Sequence, residues 1–303
     1  MMDLTPLLIA IEPFFIKQHG LFVLMMGVLG LMIGSFINVV AHRTPRIMMD
    51  EWRHEISQFI AEDHAISTAT KHEIIKHYQS DPKLSLSYPR SHCPHCQQTI
   101  SWWQNIPLIS HACLLGRCAF CRASISLTYP ATELLCALLS MLMAHHFGMG
   151  VQAAFAVVLV WFLLALSLID LKVQLLPDRL LVPCGIVGLI ANLYGVFTTP
   201  SLAIWGLVLG FVSFWLINAI FKLITKKDGM GLGDAKLLAV LGAWLGAWAL
   251  PLVVFIGALL GVLIGAALGK KRQAFAFGPY LAVGGVAALL WGEALWRWYL
   301  SGF

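Results

Sequence analysis

The chain has 303 residues, of which 59% are hydrophobic and only 12% are charged, with a mean hydropathy of +0.81. Soluble domains carry roughly 25% charged residues, so this composition excludes an ordinary soluble domain and indicates an all-α polytopic membrane protein. The net charge of +5 fits basic loops on one membrane face better than an acidic partner, and we expect no nucleic-acid ligand.

The first predicted membrane span covers residues 20–41. Residues 1–20 carry two acidic residues and lack the basic start and the small-residue cleavage site of a signal peptide, so we expect no cleavable leader. Within the span, Gly27, Gly30 and Gly34 provide a flat surface for close packing of another helix.

One polar residue, Asn38, lies near the end of this apolar run. An amide in such surroundings favours a hydrogen bond to a neighbouring helix. A contact with a functional site is the alternative, and the sequence leaves both open.

Residues 43–129 form the main polar region of the chain. Its first part, residues 48–83, is rich in acidic, basic and histidine side chains. Isoleucines spaced along it predict short amphipathic helices; they are Ile56, Ile60 and Ile66. We find no convergent chemistry in this part.

Two CxxC pairs separated by 21 residues follow in the same region, formed by Cys93, Cys96, Cys118 and Cys121. Two tight turns that each present two thiolates can close a tetrahedral zinc site. We therefore predict a structural Zn²⁺ in a zinc-ribbon-like module over residues 93–121, which metal binding helps to fold. Each pair alone would also fit a redox site. The spacing of Cys113 fits neither turn. Residues 102–107 supply the apolar side chains that such a small module otherwise lacks.

Seven further apolar runs follow, and no internal repeat is evident. They cover residues 131–147, 151–169, 180–197, 201–224, 235–249, 251–268 and 279–299. With the first span they predict about eight transmembrane helices. The expected organisation is an N-terminal segment and first helix over 1–42, a cytoplasmic loop with the metal module over 43–129, and a seven-helix core over 130–303.

The distribution of basic residues orients these spans. If residues 43–129 are cytoplasmic, 18 of the 20 lysines and arginines fall on the cytoplasmic side, and only Lys17 and Arg297 fall outside. Because basic loops stay in the cytoplasm, we expect a multi-pass membrane protein whose polar region faces the cytoplasm. Asp170 and Asp234 then lie at the same cytoplasmic boundary.

Acidic residues at a membrane boundary are costly and point to function. Asp178 follows Pro177 and is interpreted as an N-cap of the next helix. Asp170 has no such role, and the dipole of the helix it ends disfavours an anion there. We therefore predict that Asp170 and Asp234 meet as a proton-sharing dyad. The alternative is that both are capping or ion-paired boundary residues.

A carboxyl dyad can perform aspartic-protease chemistry with water as the nucleophile. Gly231 and Gly233, just before Asp234, would let the backbone approach an extended substrate closely. Lys236 either orients an acid or marks the basic flank of the span. We expect these three residues to support the active site.

Two other functions remain compatible with parts of this pattern. A proton- or ion-coupled transporter would need acids nearer mid-span and repeat symmetry. A thiol oxidoreductase would need its cysteines on the oxidising face of the membrane. Neither requirement is evident in the sequence.

Several motifs together resemble the type IV prepilin peptidases, membrane aspartic proteases with a GxGD signature. The resemblance covers nearly the whole chain. Its motifs are residues 34–40 with Arg43 and Pro45, both CxxC pairs, residues 103–107, Tyr129-Pro130 with Glu133, Asp170 with residues 175–178, and residues 231–236.

This resemblance implies a bifunctional aspartic endopeptidase and N-methyltransferase of the bacterial inner membrane. Such an enzyme removes the basic leader from type IV prepilins and type II secretion pseudopilins, then methylates the new N-terminal amine with S-adenosylmethionine. The family's catalytic pair maps onto Asp170 and Asp234, and its zinc cysteines map onto the two CxxC pairs. The methyl-donor site is not assigned; Gly116 and Glu133 are its candidates.

Overall fold

The computed structural model describes residues 18–62, 84–226, 231–267 and 276–301. This part of the chain contains nine α-helices and two short 3₁₀ helices, and the predicted all-α membrane fold is confirmed. The α-helices are α1 (His19–Glu62), α2 (Ile109–Cys113), α3 (Thr128–Phe147), α4 (Val151–Val173), α5 (Asp178–Leu193), α6 (Pro200–Thr225), α7 (Leu232–Leu245), α8 (Leu250–Ala267) and α9 (Gly278–Ser301). The 3₁₀ helices are Trp102–Asn105 and Ala247–Ala249.

All eight predicted spans coincide with one of these helices. Within the described residues, five segments are long and apolar enough to cross a membrane, and they contain α1, α4, α6, α8 and α9. Helix α7 has 14 residues, which is roughly 21 Å and shorter than the ~30 Å hydrocarbon core of a bilayer. The number of eight crossings therefore stays a prediction.

Helix α1 continues far beyond the predicted end of the first span. It has 44 residues with Pro45 inside it, so its length of roughly 66 Å is about twice the thickness of the hydrocarbon core. The expected short helices around Ile56 and Ile60 belong to this one continuous helix, and Ile66 lies outside the described residues. The domain boundary proposed at residues 42–43 falls within it, and the domain division stays a prediction.

The predicted glycine face of α1 is confirmed. Gly27, Gly30 and Gly34 are buried, and a Cβ atom on any of them would come within 3.0 Å of α3. Asn38 donates to the carbonyl of Tyr129 over 3.1 Å, which is the expected hydrogen bond to a neighbouring helix. Small residues thus bring α1 and α3 into backbone contact.

Helix α7, which carries Asp234, is held rigidly by its neighbours. Gly242 on α7 lies so close to Gly206 on α6 that a Cβ atom on either would overlap the other's backbone. The buried amide of Asn192 donates to two carbonyls at the end of α7, those of Ala243 and Trp244, each over 2.8 Å. These contacts fix the depth of α7 against α5 and α6.

Candidate active site and metal centre

The two predicted catalytic aspartates line the same cavity. Asp170 lies in the last turn of α4 and is only 4% exposed, and Asp234 lies in the first turn of α7. The cavity has a volume of about 470 Å³, and the two carboxyl groups interact electrostatically within it. Side chains 64 positions apart along the chain therefore share one cavity that is large enough to hold water and a substrate segment.

The start of α9 holds Asp170 in place. The backbone N–H of Gly278, the first residue of α9, donates to Oδ2 of Asp170 over 2.9 Å. A Cβ atom at position 278 would lie 2.7 Å from the same oxygen, so only glycine fits without displacement. The N-terminus of α9 offsets the unfavourable dipole of α4, because N-terminal N–H groups attract negative charge.

The two glycines before Asp234 differ in their surroundings. A Cβ atom on Gly233 would lie 3.1 Å from Cβ of Leu176, so this glycine lets α7 approach the connection between α4 and α5. Gly231 precedes α7 with a φ of −68° and has open space around it. The role of Gly231 in letting a substrate backbone approach stays a prediction.

Lys236 orients an acid, but not one of the dyad. Its Nζ donates to both carboxylate oxygens of Asp178 over 2.7 and 2.8 Å. The interpretation of Asp178 as an N-cap is wrong, because Pro177 is the N-cap and Asp178 is the first helical residue of α5. The ion pair joins the start of α5 to the start of α7 at the edge of the cavity.

Sequence reasoning missed one wall of this cavity. Beyond the predicted span, α1 contributes Met48, Glu51 and Trp52 to its lining, and we call these three residues the α1 wall. Arg179 of α5 donates to Oε1 of Glu51 over 2.9 Å and lies 2.8 Å from its Oε2, although the two residues are 128 positions apart. Contacts at such separation leave no local signal, and an acidic residue in a charged stretch is usually only solvated.

The four cysteines predicted to bind metal converge. Their sulfur atoms all lie within 4.8 Å of one another, and Sγ of Cys93 is 3.8 Å from Sγ of Cys121. A tetrahedral zinc with Zn–S bonds of about 2.3 Å places its sulfurs about 3.8 Å apart, so the cluster fits a metal ion. All seven cysteines are free, and Cys113 lies outside the cluster.

The two cysteine turns have the same backbone geometry. In each, the N–H of the first cysteine donates to the carbonyl five positions on, to Gln98 over 3.0 Å and to Ala123 over 2.8 Å. The residue after each second cysteine, Gln97 or Arg122, has a positive φ of 58° or 61°. The two CxxC pairs recognised in the sequence therefore form two equivalent turns.

Backbone hydrogen bonds favour a thiolate in the second turn. The N–H groups of Cys121 and Phe120 lower the pKa of the Cys118 thiol to about 6. Cys93 and Cys118 are buried, whereas Cys121 is exposed. A deprotonated sulfur is the form that ligates metal.

Buried polar contacts dock the cysteine module onto the membrane helices. Arg43 of α1 is 8% exposed and donates to the carbonyls of Ser85, Leu86 and Pro89 over 2.6 to 3.2 Å. Glu133 of α3, buried as well, accepts from the backbone N–H of Leu108 over 2.9 Å. The module is thereby tied to α3, and the segment that leads into it is tied to α1.

The two candidates for a methyl-donor site lie around one histidine. Gly116 has a φ of 68°, and a Cβ atom there would lie 3.1 Å from Nε2 of His111. The same histidine interacts electrostatically with Glu133. Gly116 and Glu133 therefore stay candidates for the methyl-donor site.

Comparisons with known proteins agree with this geometry. Residues 28–147 match the bacterial peptidase A24 N-terminal domain, and residues 157–266 match the type IV leader peptidase family. The chain is 43% identical to the prepilin leader peptidase/N-methyltransferase of Stutzerimonas stutzeri, over 92% of this chain and 94% of that protein.

Proteins of the same name from two other organisms are similarly close. Identity is 43% with that of Pseudomonas aeruginosa, over 95% of this chain and 97% of the relative. Identity is also 43% with the protein of Aeromonas hydrophila, over 90% of this chain and 92% of that relative. No solved structure matches the chain significantly. The chain belongs to the type IV leader peptidase family.

Proposed function

We propose that this protein is a bifunctional membrane enzyme that cleaves the basic leader from type IV prepilins and type II secretion pseudopilins and then methylates the new N-terminal amine. The observation that carries the peptidase activity is the presence of Asp170 and Asp234 on one cavity. The names of its relatives, which combine leader peptidase and N-methyltransferase, support both activities.

The dyad supplies the groups that peptide hydrolysis needs. Two adjacent carboxyl groups retain one proton between them, because two like charges at close range repel. The ionised carboxylate takes a proton from water, which attacks the scissile carbonyl carbon, while the protonated carboxyl donates a hydrogen bond to the carbonyl oxygen. The tetrahedral intermediate then breaks its C–N bond, and a proton passes to the leaving amine.

The substrate's shape suits the position of the cavity. A peptide with a basic tip and an apolar helix places its junction at the membrane interface, where water is available. A helical peptide bond is shielded by its own hydrogen bonds, so we expect the junction to bind in an extended form beside Gly231 and Gly233. Crosslinking that showed a helical scissile bond in the bound state would contradict this.

The proposed location is the bacterial inner membrane, with the dyad and the cysteine module on the cytoplasmic side. The asymmetry of lysine and arginine supports this orientation. We propose eight crossings and keep the division into residues 1–42, 43–129 and 130–303.

The proposed cofactors are a structural Zn²⁺ and S-adenosylmethionine as methyl donor. The four converging sulfurs support zinc, which would fold the module rather than act in catalysis. The methyltransferase named in its relatives requires a methyl donor. Around His111, Gly116 and Glu133 are the residues we propose to test for holding it.

The test is incubation of the purified protein with a prepilin peptide, with and without S-adenosylmethionine, followed by mass spectrometry. We expect a cleaved product in both cases and a gain of one methyl group only with the donor. Asp170→Asn and Asp234→Asn should each leave folded protein and uncleaved peptide. Cleavage by either variant at the rate of the unaltered enzyme would refute the dyad.

A further inference from the structure

We propose that the α1 wall is a specificity determinant, in which Glu51 binds a cationic side chain on the leader side of the scissile bond. This inference rests on the proposed peptidase function and extends it to substrate recognition. The observation that carries it is the position of Glu51 on the lining of the aspartate cavity, within the part of α1 that extends beyond the predicted span.

The charges around the cavity favour a cationic ligand. Among the described residues that line it, four carry carboxyl groups (Glu51, Asp170, Asp178 and Asp234), and two, Arg179 and Lys236, are cations. With one proton shared by the dyad, an excess of one negative charge remains. A cleft of low dielectric concentrates such a charge and attracts positive ligands.

Glu51 is the acid best placed to exchange partners. Its ion pair with Arg179 is partly solvated, with the two side chains 43% and 58% exposed. An exposed ion pair contributes little stability, so a lysine or arginine of the substrate can replace Arg179 at small cost. Asp178 is engaged through both oxygens as well, but its partner Lys236 lies on α7, two positions from Asp234, so an exchange there would disturb the start of α7.

The other two residues of the α1 wall provide a complementary surface. Met48 and the half-exposed Trp52 line the cavity beside Glu51. An indole ring attracts the cationic head of arginine or lysine over its face, and both residues pack against the aliphatic stems of those side chains. The wall therefore offers a carboxylate and an apolar surface to one substrate residue.

The experiment compares cleavage kinetics of Glu51→Lys and Glu51→Gln with those of the unaltered enzyme. The substrates are one prepilin peptide and a series in which each basic leader residue is replaced in turn by glutamate. We expect Glu51→Lys to raise KM for the basic leader about tenfold, with kcat within about twofold, because the lost contact is a binding contact. One glutamate-bearing peptide should be cleaved better by Glu51→Lys than by the unaltered enzyme.

Glu55→Lys is the matched control. Glu55 is exposed and lies one helical turn further along α1, outside the cavity lining, so it undergoes the same change of charge without the proposed contact. Its KM should stay within about twofold of the unaltered value. Glu51→Gln should give an intermediate KM for the basic leader and no gain with the glutamate-bearing peptides.

Three results would overturn the inference. The first is that Glu51→Lys raises KM equally for all peptides, whatever the charge of the leader. The second is that Glu55→Lys raises KM as much as Glu51→Lys does. The third is that Glu51→Lys cleaves no glutamate-bearing peptide better than the unaltered enzyme does. Failure of the inference is distinguishable from failure of the proposed function. If Asp170→Asn abolishes cleavage while the Glu51 variants behave like the unaltered enzyme, only the role of the α1 wall is lost.

Discussion

The backbone N–H of Gly278 donates to the carboxylate of Asp170 over 2.9 Å and joins two residues 108 positions apart. The contact brings the N-terminus of α9 against the C-terminal turn of α4. It explains how an acidic side chain is tolerated where the dipole of its own helix is unfavourable. The proposed catalytic site is therefore built from three helices, α4, α7 and α9.

Adding a methyl group at Gly278 should disable the peptidase. The Cβ of Gly278→Ala would lie 2.7 Å from Oδ2 of Asp170, so the carboxyl group must move. Displacement of a catalytic group by a fraction of an ångström to one ångström lowers rates on the order of 100-fold. The loss is measured by comparing the rates at which the purified variant and the unaltered enzyme cleave a prepilin peptide.

Gly292→Ala is the control on the same helix. The nearest atom to a Cβ there lies 4.0 Å away, and we expect unaltered cleavage. Normal activity in Gly278→Ala would show that the hydrogen bond and the close approach do not matter for catalysis.

Lys236 and Asp178 should behave as one unit. Because their side chains are 41% and 59% exposed, we expect Lys236→Met or Asp178→Asn to lower the free energy of unfolding by only about 0.2–1 kcal/mol. Each should lower kcat/KM by a similar factor, since the pair sets the start of α7 next to Asp234. In a double-mutant cycle the double variant should be no worse than either single variant, and additive losses would contradict this relationship.

Metal analysis should find one zinc per chain, held by the four converging cysteines. Cys96→Ser should lose the metal and increase hydrogen exchange over residues 91–125, because the ion links the two turns. Cys113→Ser should retain the metal, since Cys113 is exposed and outside the cluster. A metal-free protein with intact disulfides would instead support a redox role.

Arg43 should be needed to hold the segment that leads into the cysteine module against α1. Arg43→Ala removes three hydrogen bonds from a buried guanidinium to backbone carbonyls, and a hydrogen bond that involves a charged group contributes about 1.5–3 kcal/mol. We expect faster proteolysis and hydrogen exchange over residues 84–90 with zinc content unchanged. Arg46→Ala is the control, because Arg46 is exposed on the same helix; equal effects of both changes would refute a specific docking role.

Much of this protein follows from local patterns in the sequence. Apolar runs locate the helices because a bilayer accepts little else, and the CxxC spacing locates the metal cluster because each turn is complete within a few residues. The glycines at 27, 30 and 34 reveal a packing face, since their spacing places them on one side of a helix. Asp170 and Asp234 stand out because acids are costly in that setting.

Which of these groups meet depends on how the helices pack in three dimensions. The partnership of Asp178 with Lys236, the contact of Gly278 with Asp170 and the place of Glu51 on the cavity join residues 58 to 128 positions apart. The length of α1 was hidden as well, because its polar second half resembles a solvated loop in composition. Periodicity and spacing report on neighbours along one helix, whereas contacts between helices depend on how their faces pack in three dimensions.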